Sequence, residues 1–175
     1  MAVVKANYCK KGEGERERAK ATIRYIQHRP GKDKERIYRN LFGIDGYMGR
    51  WQAYRMIDDA QKGRYFYRVI INPDPVNEDK ERDLPLRGIV EYTMQILEER
   101  TNTPVQWVAA VHDDHTDKRH IHALAVVKGR LNRNDLEALI KAATQEAQLQ
   151  REARDLMREA EAYQREREEA LSLSY

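Results

Sequence analysis

Four segments of the chain are rich in β-branched, aromatic and small apolar residues, which predicts four β-strands. They cover Val3–Tyr8, Tyr65–Asn72, Val105–Val111 and His120–Val127. The second segment is followed by Pro73, which cannot donate a hydrogen bond to a sheet and therefore ends the strand. These four strands supply the sheet of the predicted fold.

Apolar residues recur at helical spacing between the predicted strands. The spacing predicts helices over Glu15–Gln27, near Arg50–Gln61 and over Pro85–Arg100, and a loop over residues 31–49. Strands and helices in this order are typical of an α+β sandwich, in which we expect the helices to cover one face of the sheet.

From Asn134 onward the chain has the pattern of one long amphipathic helix. Asn134 and Glu137 resemble a capping box, and apolar residues then recur on one side among Glu and Arg. About 36 helical residues extend about 54 Å, which is longer than the body of a small domain. We therefore expect a domain over residues 1–130 and a charged helix over residues 131–175. The second half of this helix is predicted to project, to pair with a second copy as a homodimer, or to lead into a further region.

Composition narrows the class of protein. The chain has 175 residues, 41% of them hydrophobic and 35% charged, which fits a single soluble domain. No apolar run approaches the roughly 20 residues of a membrane helix, and the first residues lack a secretory signal. We therefore expect a cytoplasmic protein with no membrane insertion. Because Cys9 is the single cysteine, an internal disulfide and a four-cysteine zinc site are excluded.

Positive charge and aromatic residues are concentrated in the first part of the chain. Residues 1–64 contain 16 Lys and Arg but 8 Asp and Glu, and residues 1–67 hold ten of the fourteen aromatic residues. Basic groups attract phosphate and aromatic rings stack on unpaired bases, so this region is a candidate for binding nucleic acid. The alternative is a solvated basic surface with ordinary core aromatics.

Four of the five histidines lie within residues 112–122. Residues two apart in a strand point to the same face, so His120 and His122 present two imidazoles side by side. His112, at the end of the preceding strand, is the candidate third ligand, and His115 on the intervening turn is the rival. Three imidazoles would leave positions open on a metal ion for water or substrate, as a catalytic site requires.

Asp113 and Asp114 follow His112 directly and are candidate catalytic residues. Either carboxylate is able to accept the second ring N–H of a ligand histidine and so fix its tautomer.

The chain lacks the common motifs of serine, cysteine and nucleotide hydrolysis. It has no Gly-x-Ser-x-Gly turn and no Gly-rich phosphate loop, and Cys9 has no evident base beside it. A tyrosine hydroxyl is able to attack phosphorus when a metal ion stabilises the developing charge. Tyr25, near the end of the first predicted helix, is the candidate nucleophile.

The order of these motifs resembles that of conjugative relaxases of the mobilisation-protein type. These enzymes belong to a superfamily of single-strand endonucleases with a His-hydrophobe-His metal motif. The resemblance rests on the segments Ile23–Ile26, Trp107–Asp114 and His120–His122, and it spans about residues 2–130.

The resemblance implies a central antiparallel β-sheet flanked by α-helices, with the metal histidines on two central strands. It implies that Tyr25 attacks one strand of DNA at an origin of transfer, leaving a 5′-phosphotyrosyl link and a free 3′ hydroxyl. His112, His120 and His122 would then hold Mg²⁺ or Mn²⁺. The partners implied are single-stranded DNA, origin-of-transfer DNA and other relaxosome proteins.

Arg24, Arg29 and Lys32 surround the candidate nucleophile in the sequence and are predicted to contact DNA phosphates.

Two features depart from the family pattern. Seven residues separate His112 from His120, one more than the family spacing leads us to expect. Lys128-Gly129-Arg130 also replaces the usual Asn-Arg after the strand.

Other functions remain open on the sequence. A replication initiator or single-strand transposase of the same superfamily would use Tyr163, in the carboxy-terminal helix, and Tyr8 is a further rival to Tyr25. The protein is alternatively a non-catalytic origin-binding accessory, or a histidine-dependent phosphoesterase that acts on small substrates.

Overall fold

The computed structural model describes residues 1–31, 33–114 and 118–173. Within these ranges the chain forms one antiparallel sheet and four helices, which confirms the predicted α+β fold. The strands are β1 (Val3–Tyr8), β2 (Phe42–Gly43), β3 (Gly46–Tyr47), β4 (Arg64–Asn72), β5 (Gln106–His112) and β6 (His120–Lys128). The helices are α1 (Glu15–His28), α2 (Arg50–Asp58), α3 (Leu86–Thr101) and α4 (Arg133–Ser172).

The strands lie in the order β1-β4-β6-β5-β2-β3, and each is antiparallel to its neighbour. Strand β6 is central and is buried along almost its whole length, which explains its nearly continuous apolar sequence. The register places Ile70 of β4 opposite His122 of β6, and His122 opposite Ala110 of β5. Because side chains directly opposite each other share a face, this register decides what each face carries.

One face of the sheet is closed by an apolar core. We call it the closed face; its strands contribute Val4, Val69, Ile121 and Trp107 among others. Helix α3 packs Ile89, Met94 and Leu97 against it, and the first half of α4 adds Leu139, Ala143 and Ala147.

The other face carries the histidines, and we call it the histidine face; besides them it presents Phe66, Leu124 and Val108. Helices α1 and α2 pack against it through Ile23 and Ile57. The prediction that helices cover one face is therefore wrong, because two helices pack on each. Strand patterning shows which residues share a face, but not on which side a connecting helix crosses.

A short two-stranded extension, β2 and β3, lies where the sequence predicts a loop. Phe42 pairs with Ala109 of β5, and its ring meets the Trp107 ring edge-on at a centroid distance of 6.0 Å. Strand β3 begins directly after the turn with Gly46 at φ 110°, a conformation that favours glycine. Strands of two residues are too short to show an alternating pattern, so the prediction failed here.

Helix α4 begins at Arg133, and its capping box lies two residues earlier than the predicted pair of Asn134 and Glu137. The cap is Asn132, whose side chain accepts from the Asp135 N–H at 3.0 Å, while the Asp135 carboxylate accepts from the Asn132 N–H at 2.9 Å. Farther along, Arg151 is buried and donates to Asp83 at 2.7 Å, which fastens the middle of the helix to the loop before α3. Among the described residues no helix has the length and apolarity needed to cross a membrane.

Candidate metal centre

The register of β5 and β6 brings three histidines together on the histidine face. His112 lies directly opposite His120, and His122 follows two residues later on the same side of β6. All three side chains are buried, and one nitrogen from each lies within 4.8 Å of the others. The prediction that His112 closes its strand beside the His-x-His pair is confirmed. The rival His115 lies outside the described residues.

Backbone carbonyls orient two of the rings. The Nε2 of His112 lies 2.7 Å from the carbonyl oxygen of Ile26, and the Nδ1 of His120 lies 3.0 Å from that of Lys118. A carbonyl accepts and does not donate, so these nitrogens carry the protons in the neutral rings. The lone pairs are then on Nδ1 of His112 and Nε2 of His120, and these are the atoms that would bind a metal ion.

The Nε2 atoms of His120 and His122 face each other at 3.1 Å, which is within hydrogen-bond distance. Ligand nitrogens at about 2.0–2.1 Å from one ion are separated by about 2.9–3.4 Å for octahedral to tetrahedral angles. The spacing of these two nitrogens therefore fits two ligands of the same ion.

Burial keeps His112 in the form that binds metal. Loss of solvent, reinforced by the nearby His122 and by the positive charge of Arg39, lowers the pKa of His112 to about 3. The ring is thus neutral at physiological pH, and a metal ion has no proton to displace from a charged imidazolium.

The two aspartates after His112 make other contacts. The Asp114 carboxylate receives a two-pronged hydrogen bond from Arg39, with distances of 2.7 Å from Nε and 2.6 Å from Nη2. The carbonyl of Asp113 accepts from Arg82 at 3.1 Å. The carbonyls of Ile26 and Lys118 thus occupy the role, accepting a ring N–H, that the sequence led us to expect of an aspartate.

Arg39 is a functional candidate that the sequence did not reveal. It is buried, and besides Asp114 its guanidinium donates to the Arg29 carbonyl at 2.9 Å, while its backbone N–H donates to Gln27 at 3.0 Å. Arg39 therefore joins Asp114, two residues after His112, to the end of α1. No local motif marks it, because its partners are 10 and 75 residues away in the chain.

Tyr25 stands at the rim of the histidine cluster. Its ring centroid is 6.1 Å from that of His122, with the rings nearly perpendicular, and 49% of its surface is exposed. The Ile26 carbonyl that accepts from His112 belongs to the next residue of α1. The cluster is thus hydrogen-bonded to the backbone of the helix that carries Tyr25.

The predicted DNA contacts are distributed unevenly. The guanidinium of Arg29 lies 5.6 Å from the Tyr25 ring centroid, beside the site. Arg24 instead donates to the hydroxyl of Tyr54 at 3.2 Å. Lys32 lies outside the described residues.

The rival tyrosines lie elsewhere. Tyr8 packs against Tyr65 and Tyr67, the latter in the core of the closed face. Tyr163 is exposed on α4, the helix whose first half covers the closed face.

Comparison with known proteins gives no match to this chain among protein-family models, curated proteins or solved structures.

Proposed function

We propose that this protein is a relaxase-type, metal-dependent DNA endonuclease that nicks and rejoins one strand at an origin of transfer, serving the mobilisation of a plasmid or integrative element. The observation that carries the proposal is the half-exposed Tyr25 next to the buried cluster of His112, His120 and His122. A nucleophile at the rim of a three-imidazole site suits phosphoryl transfer to tyrosine, because a bound ion would stabilise the charge that develops on the phosphoryl oxygens.

In the proposed reaction the Tyr25 oxygen bonds to phosphorus and the bond from phosphorus to the 3′ oxygen breaks. The phenol proton leaves to solvent, which reaches the half-exposed side chain, and the departing 3′ oxygen gains a proton from solvent. The products are a 5′-phosphotyrosyl link and a free 3′ hydroxyl, and the reverse reaction rejoins the strand. The bound ion would act as a Lewis acid on the phosphoryl oxygens.

The residues present fit a divalent transition metal. Imidazole nitrogens suit first-row transition ions, whereas Mg²⁺ prefers oxygen ligands and keeps several waters. Three histidine donors therefore favour Mn²⁺ over Mg²⁺ as the ion of this site.

The positions of the tyrosines support Tyr25 over Tyr163. Tyr25 is on the helix that packs on the histidine face. Tyr163 is 16 residues beyond Ala147, the last α4 residue in the closed-face core, so about 24 Å of helix separates it from that core. The initiator-like alternative, in which Tyr163 attacks within the same chain, is therefore disfavoured.

The proposed partners are single-stranded and origin-of-transfer DNA together with other relaxosome proteins. Pairing of two copies through α4 stays a prediction.

The deciding experiment incubates the protein with a labelled single-stranded oligonucleotide from its own genetic neighbourhood, with Mn²⁺ or with chelator, followed by a denaturing gel. We expect a metal-dependent covalent band that is abolished by Tyr25→Phe, because phenylalanine has no nucleophilic oxygen. Tyr163→Phe is the matched control and retains the band.

Three other outcomes would contradict the proposal. A band that survives in Tyr25→Phe and disappears in Tyr163→Phe would assign the initiator mechanism. Tight DNA binding without any band would indicate the accessory function. Product released with no protein-bound intermediate would indicate a phosphoesterase.

A further inference from the structure

The histidine face is only partly covered by helices. Helices α1 and α2 pack over Phe66, Leu124 and Val108, but the side chains of β1 on this face are exposed. The register forms rows that begin in the uncovered part and lead toward the covered part, one running Lys5, Ile70, His122 and the next Asn7, Arg68, Leu124. An open strip of sheet therefore leads from the edge strand to the metal cluster.

A cleft of about 700 Å³ lies over this strip, between the sheet and α1. Arg18, Thr22 and Tyr25 line it from α1, at the spacing that puts them on one side of a helix. His122 lines the same cleft from β6. The cleft is thus continuous with the candidate nucleophile and with one of the three metal ligands.

The charges of the cleft suit an anion. Lys10, Arg18 and Arg68 line it, and among the described residues of its wall none is Asp or Glu. Arg18 donates to the carbonyl of Lys10 at 2.7 Å, which holds these two residues together. Arg68 stands on the sheet itself, exposed and diagonal to His122. Cationic side chains therefore line the cleft both from α1 and from the sheet, and none of them belongs to the histidine cluster.

The cleft also has an apolar part. Ile70 lies between Lys5 and His122 on the sheet, and Ala21 and Ile26 add aliphatic surface from α1. Volumes of about 300–1,000 Å³ are typical of sites that enclose a small organic ligand. An aliphatic surface beside cations accommodates an unpaired base together with its phosphate. A base inside a duplex is not available in this way, because its two faces are covered by the adjacent bases of the stack.

We propose that this cleft binds the nucleotide of single-stranded DNA that lies directly next to the scissile phosphate. The phosphate of this neighbouring nucleotide contacts Arg68, and its base lies over Ile70. The inference rests on the proposed function, because it takes Tyr25 as the position of the scissile phosphate. It adds residues that the sequence did not indicate, since Arg68 lies in a strand remote from the predicted contacts Arg24, Arg29 and Lys32.

The test measures equilibrium binding of a labelled single-stranded oligonucleotide by fluorescence anisotropy, in a Tyr25→Phe background so that no covalent product forms. Adding Arg68→Ala is expected to weaken binding about tenfold and to reduce the slope of log affinity against log salt by about 0.7, as the loss of one single-strand phosphate contact requires. The matched control is Arg133→Ala, whose side chain is 90% exposed at the start of α4. The affinity for Mn²⁺, measured by calorimetry, is expected to be unchanged in both variants. An unchanged value shows that the fold is intact.

The outcomes separate this inference from the proposed function. If wild-type protein forms the covalent band but Arg68→Ala binds like Arg133→Ala, the cleft assignment is wrong and the function stands. If no band forms but Arg68→Ala still weakens binding with the reduced salt slope, the cleft stands and the nicking function fails. Competition by inorganic phosphate or a mononucleotide as strong as that by the oligonucleotide would overturn the assignment to a DNA strand.

Discussion

The two faces of the sheet are built from the same strands but differ in what covers them. The closed face is apolar throughout and packed by α3 and α4, with Ile121, Leu97 and Leu139 fully buried. The histidine face has a smaller apolar cluster under α1 and α2, and beyond it lie the histidines and the open strip. Because side chains alternate along a strand, one face is able to provide stability while the other carries the histidines.

The largest effect on stability is expected from a cavity in the apolar core of the closed face. Leu97→Ala removes a fully buried side chain between α3 and the sheet, so the free energy of unfolding is expected to fall by about 2–5 kcal/mol. Chemical denaturation measures this loss. The affinity of the folded protein for Mn²⁺ is expected to stay the same, because the histidines are on the other face. A large loss of metal affinity at temperatures where the variant is folded would show that the two faces are not independent.

A smaller effect on the free energy of unfolding is expected when the pH is lowered, and it arises from His112 on the histidine face. In metal-free protein His112 has its pKa lowered to about 3, while in the unfolded chain the value is near 6.5. Below pH 6.5 the unfolded state therefore binds a proton that the folded state does not, and stability falls as the pH falls. The slope reaches about 1.4 kcal/mol per pH unit and levels off near the folded pKa.

The measurement is denaturation in chelator at several pH values between 7.5 and 4.5, a range spanning about three pH units around the unfolded pKa. His112→Gln is expected to show a shallower slope, and His28→Gln, a histidine outside the cluster, serves as the control. Equal slopes in wild-type protein and His112→Gln would contradict the assignment of the pH dependence to this buried ring.

The smallest effect is expected at the junction between α1 and Asp114, which follows β5. Arg39→Lys keeps the positive charge beside Asp114, but lysine lacks the planar fork that contacts both carboxylate oxygens and the Arg29 carbonyl. We expect formation of the covalent band to slow by about tenfold, since Tyr25 is held less firmly, while Mn²⁺ affinity changes by less than about threefold. Single-turnover kinetics and calorimetry measure the two quantities.

Arg158→Lys, at an ion pair on α4, is the matched control for this change. A parallel loss of metal affinity and of rate would show that Arg39 supports the metal cluster and not the position of Tyr25.

Much of the secondary structure could be predicted from local pattern. The four long strands, α1 and α3 lie within one or two residues of their predicted bounds, because alternation and helical spacing are properties of neighbouring residues. The histidine cluster could be predicted for the same reason: His120 and His122 share a face by spacing alone, and a short connection brings His112 opposite them. The proposed role of Tyr25 as nucleophile rested on the resemblance, and the structure adds its nearness to His122.

Other features depended on contacts between distant parts of the chain. The sequence by itself determined the four long strands, the helices and the shared face of the histidines, because these follow from the period of each element. Only the tertiary structure decided that helices pack on both faces, that Arg39 joins Asp114 to the end of α1, and that β1 leaves an open strip beside His122. These depend on strand order and on the path of each connection, which arise from packing of the whole chain and leave no periodic mark in the sequence.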